Sequence, residues 1–471
     1  MTLSATAPEA AGALRALISP DGVVLHPADA DFEQARRIWN GMIDPRPALI
    51  VRPATATDVA SSIRFAREHD LPIAVRGGGH NVAGLASVDD GLVIDLLSMR
   101  GIEVVPGART ARVGGGATWR QLDAATQPFG LATPGGVVSD TGVGGLTLGG
   151  GMGWLRRRHG LSADNLIGAE VVLADGSILW TSETEHPELL WGLRGGGGNF
   201  GVVTAFEFRL HPLGPNVAFA NVLYPLERAH DVLRAHERIV AADTAGTTST
   251  LAVLGHVPPL DAFEPSLHEA PFVAVFGMFA GPADEGMAAL QPLRELATPL
   301  VDFSGTVPYT EAQTVFDADY PAGHRYYWKS QRLPSLSDAT IDALVEQIEA
   351  APSGHSTIDL WLNGGAMGAV APDATAFGPR DPGYLLSPEA NWDDPASDAE
   401  NIAWARDVLA SVDAEAAGGS YLNFPGMFEE GPTLVRTSFG PTYDRLADLK
   451  REYDPDNVFQ RNQNVAPAAT R

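Results

Sequence analysis

The chain of 471 residues is too long for one small core and predicts two or three domains, with 45% hydrophobic residues as core material. Its net charge of −26 opposes nucleic-acid backbones and anionic lipid surfaces, and the absence of cysteine removes disulfides, thiolate metal sites, Fe–S clusters and cysteine nucleophiles. No apolar run approaches a membrane span, and Met1–Pro20 has no basic region ahead of an apolar stretch, so a cytoplasmic protein with neither nucleic-acid nor membrane partners is expected.

From Ala48 the pattern is strand, helix, strand. ALIVRP precedes a helix opened by Thr57-Asp58, with Val59, Ile63 and Ala66 on one face, and PIAVRGGGH ends the unit in glycines. GLVIDL, an IEVV/ARV pair around Pro106-Gly107, a helix at Trp119–Thr126 and a VVLADGSILW hairpin turning at Asp175-Gly176 follow, and VVTAFEFRLHP closes this α+β stretch near Pro212. Residues 213–424 read as a second sheet-plus-helix domain, with FVAVFGMFA and TIDLWLNGG alternating with helical ATIDALVEQIEAA. The Pro/Asp-rich stretch Ala371–Ser397 reads as a surface loop or lid, and residues 425–471 as a closing helical segment.

The glycines cluster at Gly77–Gly79, Gly114–Gly116, Gly142–Gly153 and Gly195–Gly198, a pattern of close backbone approach. Gly196-x-Gly198-x-x-Gly201 matches the dinucleotide string, yet it follows a helical stretch and leads into a strand, the reverse of the Rossmann context. After a strand, Arg76-Gly77-Gly78-Gly79-His80-Asn81 suits an anion nest with an arginine beside it, or a tight strand-exit turn. No P-loop and no GxSxG elbow occurs, and no two histidines lie closer than six residues apart, so no metal site is expected.

RGGGHN (76–81), TPGG…TGVGGLTLGGGMGWL (133–155), HGLSADNL (159–166), ELLWGLRGGGGNFGVVTAFEF (188–208), GGSYLNFP (418–425) and YDPDNVFQRNQNVAP (453–467) together resemble the berberine bridge enzyme-like flavoproteins of the vanillyl-alcohol-oxidase or PCMH-type FAD superfamily. The resemblance spans residues 25–467, and the bacterial 6-hydroxynicotine oxidase and enterocin-biosynthesis oxidase types are nearest in pattern. It implies an α+β fold: a PCMH-type FAD-binding domain of two α+β subdomains (1–212), a substrate domain with an antiparallel β-sheet covered by helices (213–424), and a C-terminal segment returning to the FAD domain (425–471).

The resemblance further implies FAD attached covalently through His80 only, because Val138 occupies the position where bicovalent relatives carry cysteine. Arg76, Gly77, Gly78, Gly79 and Asn81 would hold the diphosphate; Pro134, Gly135, Gly142, Gly145, Gly150, Gly151, Asn165, Gly201, Val202, Asn462 and Asn464 complete the implied cofactor contacts. Thr141 stands where relatives gate oxygen. The plant catalytic glutamate position falls on Ala369, so Tyr421 of the GxYxN pattern is the implied base, with Asn423 near the flavin and Lys329 either a group that lowers the proton affinity of Tyr421 or of the flavin, or a partner in a surface salt bridge. The implied activity is an oxidase that takes a hydride from a C–H bond next to oxygen or nitrogen of a small-molecule substrate and reduces dioxygen to hydrogen peroxide. A dehydrogenase of the same fold, a flavin monooxygenase or dual oxidase, and a flavin carrier without turnover stay open as alternatives.

Overall fold

The computed structural model describes residues 7–427 and 431–469. The strands Leu49–Arg52, Leu92–Asp95 and Ile73–Arg76 lie parallel in that order, with Val23–Leu25 antiparallel at one edge. The predicted strand–helix–strand unit is present, with Leu92–Asp95 inserted between its two strands. Helix Ala56–Glu68 starts one residue before the expected Thr57-Asp58 opening, because Thr55 caps it in a capping box with Asp58, and Val59, Ile63 and Ala66 are buried in the core of that sheet. A second sheet is fully antiparallel, in the order Ile102–Val105, Thr110–Gly114, Val202–Arg209, Leu166–Val172, Ile178–Ser182.

The third sheet has nine strands, all paired antiparallel, with Thr248–His256, Thr357–Leu362, Tyr384–Trp392 and Arg325–Trp328 side by side. The period of two divides its residues between two cores. Ile358, Leu360, Leu386 and Ala390 pack with helices Ala229–Ala242, Asp338–Glu349 and Asp398–Ser411. Leu251, Trp361 and Leu385 point the other way, into a cluster with Trp154, Phe316 and Tyr421. The terminal helices Pro432–Phe439 and Tyr443–Tyr453 contribute Val435, Phe439, Leu446 and Leu449 to the core beneath the second sheet.

The expected loop Ala371–Ser397 is corrected here. Its residues Tyr384–Trp392 form a buried central strand. Proline argues against a central strand because it donates no ladder bond. Pro388 escapes that penalty by facing the break between Arg325–Trp328 and Gln331–Leu333, where its carbonyl accepts the Lys329 N–H at 3.2 Å.

Candidate active site

One cavity runs between the two glycine-rich sheets, the cavity face of the nine-stranded sheet, and the segments 421–424 and 459–463. Part of the glycine content serves chain packing around it. A Cβ on Gly78 would come within 2.4 Å of the Gly142 nitrogen, and one on Gly142 within 2.3 Å of the Gly78 nitrogen, so the RGGGH loop and the second glycine segment touch backbone to backbone. Gly115 and Gly116 are likewise closed off by the carbonyls of Val203 and Leu96. Gly145 and Gly198 differ: they line the cavity and a Cβ on either meets nothing within 4 Å. These two leave room for a ligand rather than for protein.

His80 lines the cavity and is held in an aromatic stack. Trp39 lies 4.7 Å from His80 and 3.7 Å from Tyr326, both nearly parallel. Asn40 fixes that stack by donating to the carbonyls of Val82 and Tyr326 while its Oδ1 accepts the Tyr326 N–H. Burial lowers the His80 pKa to about 4, only partly opposed by Asp140, so the imidazole is neutral at pH 7.

Across the cavity the Tyr421 oxygen accepts from the backbone N–H groups of Gly151 (3.1 Å) and Met152 (3.3 Å) and from Asn423 Nδ2 (2.8 Å). Asn423 is oriented by donating as well to the Leu146 carbonyl. Burial raises the Tyr421 pKa while these donors pull it down. Three donors on one oxygen exceed the two lone pairs of a neutral hydroxyl, an arrangement that favours the phenolate over the phenol.

Residues 47–182 match the FAD binding domain family, and residues 420–466 the berberine and berberine-like family. The (R)-6-hydroxynicotine oxidase of Paenarthrobacter nicotinovorans is 31% identical over 465 residues, covering 96% of this chain and 98% of that one. An uncharacterized FAD-linked oxidoreductase of Bacillus subtilis is 31% identical over 449 residues, covering 93% and 95%. The chain belongs to the berberine bridge enzyme-like FAD-linked oxidoreductases. The crystal structure of 6-hydroxy-D-nicotine oxidase from Arthrobacter nicotinovorans superimposes with a TM-score of 0.85 at 30% identity, covering 96% of this chain and 99% of that chain.

FAD suits the cavity of this family member. Buried polar atoms without protein partners stand in its wall, namely Asn462 Oδ1 and both side-chain ends of Gln463, beside the open faces of Gly145 and Gly198. Gly77, Gly78, Gly79, Asn81, Val138, Thr141, Gly142, Gly201, Asn423 and Asn462 line it together with His80 and Tyr421.

Other residues expected at the cofactor lie outside the cavity wall. The Arg76 guanidinium turns into the protein, paired with Asp95 at 2.8 Å and donating to the carbonyls of Ala35 and Arg37, so the loop offers the cavity its backbone and not an arginine charge. Gly135 packs on Trp119, Gly150 on Phe377 and Gly151 on Ser162, while the Pro134 carbonyl accepts from Ser162. Asn165 ties the 159–165 turn to His211, Val202 is core, and Asn464 does not reach the cavity. Lys329, the candidate for tuning Tyr421, borders a separate cavity with Gln331, Leu409 and Asp413.

Two carboxyl groups in the cavity wall escape the sequence reading. Asp359 and Glu389 are 3% and 2% exposed and stand on adjacent strands. The first was legible: in TIDLWL an acid shares the alternation of Trp361. The second lay in the segment read as loop. Trp39, Tyr320, Trp328 and Trp361 complete that end of the cavity.

Proposed function

We propose that this enzyme takes a hydride from a C–H bond next to oxygen or nitrogen of a small organic substrate and passes the electrons to dioxygen, giving hydrogen peroxide. The carrying observation is the Tyr421 hydroxyl, buried, fed by three donors and facing the cavity whose glycine wall fits FAD. FAD, when bound, supplies the hydride acceptor and the reaction with oxygen. The chain's own residues do the rest.

The neutral His80 imidazole, plated by Trp39, is suited to a single covalent bond to the flavin. A second, cysteinyl bond is impossible in a chain without cysteine. Gly77–Gly79 and the 459–463 segment hold the cofactor, and Thr141, a short side chain in the cavity wall, leaves room for oxygen. Tyr421 is the proposed base, its phenolate stabilised by the amide donors of Gly151, Met152 and Asn423 as the substrate proton transfers. Ala369, at the plant glutamate position, is exposed and outside the cavity wall, which leaves that role to residues in the wall.

The test is a screen of sugars, secondary alcohols, amines and phenols for anaerobic bleaching of the flavin, followed by admission of air. One peroxide per substrate oxidised is expected. Bleaching that persists in air replaces the oxidase with a dehydrogenase.

A further inference from the structure

We propose that the substrate end of the cavity is built for a cationic amine, held by Asp359 and Glu389 beside Trp328 and Trp361. The inference rests on the oxidoreductase reading above and names its substrate class.

The strands place the four side chains on one face. Asp359 and Trp361 alternate on Thr357–Leu362, while Glu389 lies directly across from Trp328 and diagonally from Asp359. Glu389 is partly satisfied: the Tyr320 hydroxyl donates to Oε2 at 2.6 Å and Ser387 Oγ to Oε1 at 3.3 Å. Asp359 has less: its Oδ1 is buried without a close hydrogen-bond partner, and only the Thr357 hydroxyl on its own strand is near enough to pull its pKa down. Buried carboxylate oxygens in native proteins have donors. An occupant of the cavity with N–H groups would complete the set.

That occupant also has to answer for charge. Neither acid belongs to an ion pair among the described residues. Arg156 stacks on Trp361 at 5.3 Å, but its guanidinium donates to the carbonyls of Gly153, Thr250 and Leu362. Arg461, also in the cavity wall, donates to the Ser87 carbonyl in the first domain. Burial and mutual repulsion raise the pKa of Asp359, with Asp319 adding to the effect, and burial raises that of Glu389. An ammonium ion reverses that balance: it brings donors to the under-satisfied oxygen and charge to the pair. A C–H bond next to nitrogen leaves as hydride only when the nitrogen lone pair is free, so the ammonium held by the pair would first give its proton to the base, Tyr421 in the reading above; FAD, when bound, would supply the hydride acceptor, and the C–N bond would become that of an iminium.

The experiment uses the FAD-loaded protein and isosteric probes: 1-phenylethylamine against 1-phenylethanol, and piperidine against tetrahydropyran. Binding is read from perturbation of the flavin spectrum, and reaction from anaerobic bleaching. Each amine is expected to bind at least about tenfold more tightly than its oxygen counterpart, a preference of the size one partly screened charge pair supplies. Amine affinity is expected to rise with pH as the pair, flanked by Tyr320, Asp319 and the more distant Arg156, ionises; alcohol affinity stays flat. Asp359→Asn should abolish the preference without weakening the alcohol, and Glu389→Gln, read separately, should reduce it. Equal binding of amine and alcohol, no binding of either amine, or a preference untouched in both variants overturns the proposal. Amine binding with no bleaching by any probe or screened compound leaves the site standing and overturns the oxidoreductase reading; bleaching by the alcohols alone does the opposite.

Discussion

Trp39 lies flat on His80, ring centroids 4.7 Å apart and planes 17° from parallel, with Tyr326 on its other face at 3.7 Å. Segments far apart in the chain thus fix one imidazole, since Trp39 also donates its indole N–H to the Tyr320 carbonyl. A histidine that must meet one carbon of a bound cofactor gains from such restriction. His80→Ala should retain FAD without covalent attachment. Trp39→Leu keeps His80 but frees its ring, so a smaller fraction of the flavin should stay with acid-precipitated protein, and the remainder should appear in the supernatant. Full covalent loading in Trp39→Leu would show that the stack serves stability alone.

Thr141 lines the cavity immediately before Gly142, whose backbone is pressed against Gly78. The main chain there cannot retreat, so extra side-chain bulk must project into the cavity. Thr141→Leu is expected to slow reoxidation of the reduced flavin by air while leaving anaerobic reduction by substrate nearly unchanged. Equal losses in both half-reactions would make the residue a packing element.

Lys450, the other lysine of the chain, is fully buried and donates to Asp454 Oδ2 and to the carbonyls of Asn199 and Phe459. Asn199 in turn bonds the Gln463 carbonyl and the Val465 N–H. One ammonium therefore anchors the segment that carries Asn462 and Gln463 to the cavity. Lys450→Met leaves the Asp454 carboxylate buried without its partner, a change that costs about 3–5 kcal/mol. Urea unfolding should show the loss, and FAD retained after gel filtration should fall with it.

Local signals explain what was legible. Helix Ala56–Glu68 is marked by the polar pair around Asp58 at its start, and the RGGGHN loop by Gly78, where any side chain would collide with the Gly142 backbone. Sidedness was not legible where a strand is interrupted. Lys329 falls in the break between Arg325–Trp328 and Gln331–Leu333, so alternation along HRYYWKS could not place it relative to Tyr421. Arg76 failed for a different reason: beside three glycines it reads as a phosphate ligand, and only the register of Ile73–Arg76 against Leu92–Asp95 shows Asp95 waiting opposite it. Glu389 was hidden by Pro388, whose effect on the ladder depends on a gap in a strand distant in sequence.

Tyr421→Phe keeps the ring packed against Phe424 and removes only the oxygen that Gly151, Met152 and Asn423 address. Flavin loading should be near normal and reduction by substrate slower by about two to four powers of ten, the range for losing a general base. Because burial raises the Tyr421 pKa above that of a free phenol, the wild-type reduction rate should keep rising toward alkaline pH with no plateau near neutrality. Anaerobic stopped-flow across pH with a confirmed substrate checks both. A variant that keeps the rate moves the base to Asp359 or Glu389.

Asp123 ties stability to pH. It is 2% exposed, with Oδ2 accepting from Gln313 Nε2 at 3.1 Å and Oδ1 unpartnered, and burial pushes its pKa up to about 7 against the pull of Gln313. In the unfolded chain it titrates near the ordinary value of about 4. Below that value both states hold the proton and Asp123 costs nothing. Between about 4 and about 7 the unfolded chain has released it and the folded one has not, so stability falls as pH rises, by at most about 4 kcal/mol once both states are ionised. Asp123→Asn keeps the shape and removes the titration. Asp359 and Glu389, shifted the same way, remain in both proteins and cancel from the comparison. Urea unfolding of the two proteins from pH 5 to pH 8 should therefore show the asparagine variant gaining steadily on the wild type as pH rises, with the difference levelling off above pH 7. Parallel curves over that range would mean that the folded protein carries Asp123 ionised throughout, stabilised by water reaching its free oxygen.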